Sequence, residues 1–197
     1  MSQYFDNDKM IKSERKLISF KIFEKEFKCY TDNGVFSKDK FDYGTKLLLE
    51  NIIFNKEDAK VLDLGCGYGA VGVVLKTVYP KFDIDMVDIN LRCVKLAKDN
   101  LKYNKLNCKV FASDVYDNIN NKYDYIITNP PIRAGKNIVR KFLFDSYNYL
   151  NDYGEIWFVM RKNHGVKSIL NEVNDKFKYE VVIRDKGFYI VKMFLVK

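Results

Sequence analysis

The stretch VLDLGCGYGAVGVVL, residues 61–75, decides the fold. It opens on a short apolar run, breaks at three glycines within five residues, and resumes as an apolar segment. That order predicts a buried strand, a tight turn and the start of a helix. Glycine gives a turn left-handed backbone at no steric cost and lets a ligand approach the main chain closely. The spacing is GxGxG, not the GxGxxG of dinucleotide sites. Asp63 stands two residues before the first glycine. A carboxylate there opposes a pyrophosphate and suits a cationic ligand; capping the turn is its alternative role.

Outward from this stretch, strands and helices alternate. Strands are expected over residues 61–64, 82–89, 110–112, 123–128 and 156–160. Helices are expected over 45–53, 69–79, 90–103, 137–150 and 166–177. Residues 179–184 and 188–196 flank Asp185-Lys186-Gly187, a hairpin signal. The prediction is an α/β, doubly wound, mostly parallel sheet with one antiparallel strand near its end, binding its ligand at the carboxyl ends of the strands. Before the core, residues 17–30 predict a small hairpin broken at Glu24-Lys25-Glu26, and 31–45 a loop. The first sixteen residues form a polar lead-in, read as one helix. The whole is expected to be one domain over 1–197, with 1–45 an extension and lid and 46–197 the core.

Composition narrows the classes. A chain of 197 residues with 47% hydrophobic and 30% charged residues is ordinary for a globular protein. It carries no apolar run of the ~18 residues a membrane span needs and no secretory signal, so a cytoplasmic protein is expected. Four scattered cysteines and the single His164 offer no metal-ligand spacing, so no metal is expected. The net charge of +8 favours a polyanionic partner, most simply nucleic acid. Lysine outnumbers arginine 28 to 6, and an AT-rich coding bias would produce the same excess.

Three further sites fall at predicted strand ends. Asp88 lies 23 residues after Gly65, where a carboxylate hydrogen-bonds ribose hydroxyls or caps the following helix. Asp85, a rival acid, lies earlier in the strand. Ser113 and Asp114 follow the third strand, where an aspartate can accept from an adenine amine or serve as a polar loop residue. The fourth strand runs into Thr128-Asn129-Pro130-Pro131. Proline fixes its own φ and restricts the residue before it. The Asn129 side chain and the Pro130 carbonyl then stand as two acceptors for a planar exocyclic NH2. Gripping both hydrogens aims the nitrogen lone pair, and positioning without a strong base supplies most of the rate. A turn after a strand is the bland reading. NPP at the fourth strand after DxGxGxG at the first weighs against it.

Together these motifs resemble a class I S-adenosylmethionine-dependent methyltransferase of the NPP type, and more closely the methyltransferase small domain family. The chain is similar to small-subunit rRNA guanine-N2 methyltransferases and their single-domain relatives. GVFSKDKFDYGTKLLLE (34–50), VLDLGCGYGAVGVVL and TNPPIRAGK (128–136) carry the likeness. The resemblance implies a Rossmann-like, seven-stranded fold with S-adenosylmethionine as cofactor. It implies that Phe36, Ser37, Asp42 and Thr45 close over the methionine end of the cofactor. Asp63, Gly65, Cys66 and Gly67 would line the cofactor, Asp88 and Ile89 would meet the ribose, and Ser113 and Asp114 the adenine. Asn129, Pro130 and Pro131 would form the catalytic clamp, with Asn129 also touching the cofactor.

Two-domain relatives carry a degenerate N-terminal copy of the fold that this chain is too short to contain, so docking falls to the catalytic domain. Many NPP enzymes place an aromatic residue after the second proline. Here Ile132 fills that slot, leaving Arg133 to stack on a base or hold a phosphate. Lys136, Arg140 and Lys141, with Arg161, Lys162 and His164, make a candidate basic rim. Ile132, Arg133 and Lys136 are the expected substrate contacts.

The expected function is methyl transfer to the N2 amine of a guanosine in small-subunit rRNA, by a monomer acting on rRNA or the small subunit. Three alternatives stand beside it: a glutamine-N5 protein methyltransferase, a non-catalytic nucleotide- or RNA-binding module, and a nicotinamide-dependent oxidoreductase. Ile132 and the charge argue against the first, the intact motifs against the second, and Asp63 with the GxGxG spacing against the third.

Overall fold

The computed structural model describes residues 11–173 and 175–196. In chain order its elements begin with a hairpin of β1 (Lys16–Ile22) and β2 (Lys25–Thr31), followed by α1 (Tyr43–Asn51). Then come β3 (Lys60–Leu64), α2 (Ala70–Val78), β4 (Asp83–Asp88), α3 (Leu91–Tyr103) and β5 (Lys109–Ala112). The second half runs β6 (Tyr123–Thr128), α4 (Lys136–Phe144), β7 (Leu150–Arg161), α5 (Val166–Leu170), β8 (Phe177–Asp185) and β9 (Phe188–Leu195).

Seven strands form one Rossmann-like sheet in the order β5-β4-β3-β6-β7-β9-β8. The five strands from β5 to β7 are parallel to their neighbours, and β9 runs antiparallel to both β7 and β8. Strand order reverses between β3 and β6, which opens a crevice at their carboxyl ends. Both faces are covered, so β3 is buried along nearly its whole length. Alternation still sorts its side chains: Val61 joins the core cluster on one face, Leu62 and Leu64 the cluster on the other. No helix among the described residues is long and apolar enough to cross a membrane.

The small hairpin turns through Phe23 and Glu24, both at positive φ (49° and 61°), one step before the expected break. Lys25 and Glu26 therefore belong to β2. Of the polar lead-in, residues 1–10 lie outside the described residues, and 11–15 are irregular.

Two expected helices are shorter than their apolar spacing predicts. The one over 137–150 ends at Phe144, tightens into a 3-10 turn (Asp145–Tyr149), and gives Leu150 to β7, where it pairs with Tyr123. The one over 166–177 stops at Leu170. Val166, Ile169 and Leu170 keep helical spacing, but Phe177 lies in β8 opposite Leu195. Sheet pairing with a strand eighteen residues away overrides the local period there.

Candidate functional site

The glycine turn sits at the carboxyl end of β3. Gly65, Gly67 and Gly69 all have left-handed backbone (φ 73°, 55° and 88°). The N–H groups of Gly65 and Cys66 donate to the Val87 carbonyl at 2.9 and 2.8 Å, stitching the turn to the end of β4. Gly69 is needed for packing as well, because a Cβ there would lie 2.9 Å from the Ala97 Cβ on α3. A Cβ on Gly67 would meet nothing within 4 Å, so the space over the turn is open.

Asp88 ends β4 and holds the turn from the side. Its carboxylate accepts from the Gly67 N–H at 2.9 Å and from the Asn90 N–H at 2.8 Å. The helix-capping role belongs to Asn90, whose side chain accepts from the Arg92 N–H. Asp63 lies beneath the turn, 2% exposed, and accepts from the Gly72 N–H at 3.2 Å near the start of α2.

Burial raises both carboxyls, that of Asp63 to about 7, with the Asp88 charge adding to the rise. Among the described residues no cation pairs with either. Two buried carboxyl groups without a counter-charge, beneath an open glycine turn, fit a cationic ligand, which would favour their ionised form, and give a pyrophosphate no partner. Asp85 plays another part: it is buried and accepts from the Tyr123 hydroxyl at 2.7 Å.

A cleft runs from this turn across the ends of β4 and β5. Gly65, Asp88, Ile89, Ser113 and Asp114 line it, with Leu64, Val87, Val115, Ile138 and Phe142 as apolar walls. The sequence reading missed those walls, although the apolar face of α4 signals two of them. The Asp114 side chain is exposed at the rim. The Ser113 hydroxyl is committed within its own loop, donating to the Val115 carbonyl and accepting from the Asn118 N–H. Cys66 reaches the turn through its backbone, its side chain being packed in the first core cluster.

Asn129 follows β6. Thr128 fixes this strand end to the glycine turn by donating its hydroxyl to the Leu64 carbonyl at 2.8 Å. The Asn129 amide nitrogen donates to Asp42 Oδ2 at 3.1 Å and to Thr45 Oγ1 at 3.0 Å. Asp42 caps α1 by accepting from the Thr45 N–H at 2.7 Å, and its Oδ2 also takes the Thr45 hydroxyl at 3.1 Å. The amide nitrogen is thus anchored to the α1 start, and the Asn129 Oδ1 is left as an acceptor. Gly44 lets the α1 start approach this closely, since a Cβ there would lie 2.7 Å from the Phe188 ring. The structure thus gathers Asp42, Thr45 and Asn129 at one point, with Asp42 and Thr45 gripping the asparagine.

Of the remaining expected residues, Pro130 is buried, and Pro131 leads into a 3-10 turn (Ile132–Ala134). Ile132 packs against the second core cluster, while Arg133 is exposed. Lys136 turns to Glu172, 2.6 Å away, and Arg140 reaches the same carboxylate at 2.6 Å. Hydrogen bonds from Arg140 and then Lys136 hold the Glu172 carboxyl down at about 2. Phe36 and Ser37 lie outside the walls of this cleft, as do Asp63, Cys66, Gly67 and Asn129. Phe36 is 66% exposed, and Ser37 borders a separate surface depression with Gly34, Val35 and Lys38. All four cysteines are free, and no group of three or more metal-ligating side chains occurs among the described residues.

Comparison with known proteins agrees with this architecture. The family model for the Methyltransferase small domain matches residues 26–192. The uncharacterized protein YbxB of Bacillus subtilis is 36% identical over 197 residues, covering 98% of both chains. Ribosomal RNA small subunit methyltransferase C of Haemophilus influenzae is 42% identical over 134 residues, which cover 66% of this chain. The match spans only 40% of that relative's length. Among solved structures, the T. thermophilus 16S rRNA N2 methyltransferase RsmC, in complex with AdoMet and guanosine, superposes with a TM-score of 0.80 at 24% identity. The alignment covers 94% of this chain and 52% of that one. At that identity the likeness establishes the shared fold.

Proposed function

The chain belongs to the methyltransferase small domain family, and on that premise we propose that it methylates the exocyclic N2 amine of a guanosine in small-subunit rRNA. The cofactor is S-adenosylmethionine, the ligand named for the T. thermophilus structural relative. It supplies a methyl group on a cationic sulfur that departs as a neutral thioether. The paired Asp63 and Asp88 carboxylates suit that cation and the ammonium of the methionine tail. The rRNA substrate is supported by the small-subunit methyltransferases that share sequence with this chain and by its net charge of +8.

The observation that carries the reading is the fixed amide of Asn129. Its nitrogen is held by Asp42 and Thr45, and its Oδ1 remains to accept one hydrogen of a planar amine. The Pro130 carbonyl would accept the other. The amine lone pair then forms the N–C bond, the C–S electron pair stays on sulfur, and the surplus amine proton passes to water. An exocyclic amine is a weak nucleophile, so aiming its lone pair supplies most of the acceleration. No strong base is required, and His164 has no part in the step.

Radiolabelled S-adenosylmethionine, incubated with the protein and small ribosomal subunits from cells lacking it, tests the substrate class. The label is expected in the RNA fraction. Label confined to the protein fraction would replace this reading with methylation of a glutamine side chain.

A further inference from the structure

The sequence places basic residues on both sides of the NPP site, and the structure separates them by charge state. On α4, Lys136 and Arg140 converge on Glu172, whose one carboxylate offsets one of their two charges. At the end of β7 and in the β8–β9 turn, Arg161, Lys162 and Lys186 are all exposed, and none pairs with a carboxylate among the described residues. The nearest acid in sequence, Asp185, is engaged by the Tyr43 hydroxyl.

We propose that Arg161, Lys162 and Lys186 form a phosphate-binding patch that docks the RNA backbone beside the target nucleotide. The inference rests on the RNA reading above and adds to it the surface that holds the substrate. Three observations carry it.

The first is position. Thr128, the residue before Asn129, pairs with Phe158 on β7, and Arg161 lies three residues further along the same strand. Lys162 begins the next turn, and its N–H donates to the Gly187 carbonyl at 2.8 Å, tying it to the loop that carries Lys186. From the other side, Tyr43 follows Asp42, which grips Asn129. The patch therefore lies on β7 and the β8–β9 turn, next to the β6 end and the α1 start that build the amine clamp.

The second is preorganisation. The Arg161 guanidinium lies 4.4 Å from the Phe188 ring centre, and the Lys186 ammonium 4.8 Å from that of Tyr43. The two rings pack against each other, 5.6 Å between centres. An aromatic face restrains a cation without cancelling its charge, so these heads stay ordered and available.

The third is selectivity. Three exposed cations without a carboxylate partner, two of them restrained on rings, bind repeated phosphates through counterion release. Arginine adds the planar fork that matches a phosphate's oxygens.

The test is a triple variant, Arg161→Gln, Lys162→Gln and Lys186→Gln, against a triple of equal charge change on α3 (Lys95→Gln, Lys98→Gln, Lys102→Gln). The α3 lysines are exposed and lie toward the β5 side of the sheet, away from β7 and β9. The probe is a small-subunit rRNA transcript, its binding followed by fluorescence anisotropy across a salt series. The patch triple is expected to lose about tenfold or more in affinity and to lower the salt slope by about 2, the release expected for three single-strand phosphate contacts. S-adenosylmethionine affinity and melting temperature should hold, with KM for RNA raised and kcat retained at saturation. Arg161→Lys should keep most of the affinity if charge is what matters.

Equal losses in both triples would reduce the patch to general charge and overturn it. So would an unchanged affinity in the patch triple, or competition by polyglutamate as effective as RNA, which would indicate an acidic protein partner. A wild-type protein that binds and methylates no RNA would overturn the RNA reading itself, whatever the triples do.

Discussion

The charge on Asp63 predicts how cofactor binding depends on pH. Asp63 is buried beneath the glycine turn, with one hydrogen bond from the Gly72 N–H and the Asp88 carboxylate as its nearest charge. Burial raises its carboxyl from 3.8 to about 7. In the free protein a raised carboxyl favours the folded state while protonated. The unfolded chain releases its proton first as pH rises, so stability declines between the two values and levels above the higher one. The total is on the order of 4 kcal/mol.

A cation seated beside Asp63 reverses the preference. It binds the ionised carboxylate, and binding below pH 7 expels a proton. If ligation requires the ionised form, affinity falls roughly 25-fold from pH 7.5 to 5.5, about 2 kcal/mol. The α-amino group of the ligand, with an ordinary value of about 7.7–8.0, stays charged over most of that window. Titration calorimetry of S-adenosylmethionine in buffers of different ionisation enthalpy measures both the affinity and the proton count. Release of close to one proton at pH 6 is expected, and Asp63→Asn should abolish the release and flatten the profile. A flat wild-type profile with no proton released, or a slope that survives in Asp63→Asn, would refute the reasoning.

Three other substitutions probe the same site. Asn129→Ala should lower methyl transfer by about a hundredfold or more and change cofactor affinity far less, because the amine loses its acceptor while Asp63 and Asp88 are untouched; steady-state kinetics beside calorimetry separates the two. Asp42→Ala removes the α1 cap and the grip on Asn129, so a thermal melt should register about 1 kcal/mol of lost stability and kcat should fall about tenfold. Asp88→Ala should weaken cofactor binding by about 1–3 kcal/mol, the scale of a charged hydrogen bond. An unchanged dissociation constant in that variant would reduce Asp88 to a brace for Gly67 and Asn90.

Much of this was legible in the sequence because its signals are local. The apolar run of 61–64 and the three glycines after it specify strand and turn by themselves. Asp185-Lys186-Gly187 between two apolar runs marks a hairpin in the same way, whereas the cap of α3 falls on Asn90 and not on Asp88, the candidate in the sequence. What was not legible depends on partners remote in sequence. Val166, Ile169, Leu170, Val173 and Phe177 keep helical spacing, and nothing local reveals that Phe177 pairs with Leu195.

That Asp42 and Thr45 also hold an amide more than eighty residues away is visible only in the fold. Lys136 resembled a free basic rim until Glu172, thirty-six residues later, came to lie beside it. The first hairpin turns one residue before its expected break; glycine usually marks positive φ, and neither Phe23 nor Glu24 is glycine.

The central claim concerns the atom that receives the methyl group. Small subunits from cells lacking this protein, labelled in vitro with S-adenosylmethionine, should be digested to nucleosides and resolved by chromatography and mass spectrometry. The account predicts label in N2-methylguanosine, absent when Asn129→Ala replaces the wild type. Label in a base methylated at a ring nitrogen, or on a ribose hydroxyl, would contradict it, because neither presents the two N–H groups that the proposed clamp of Asn129 and Pro130 requires.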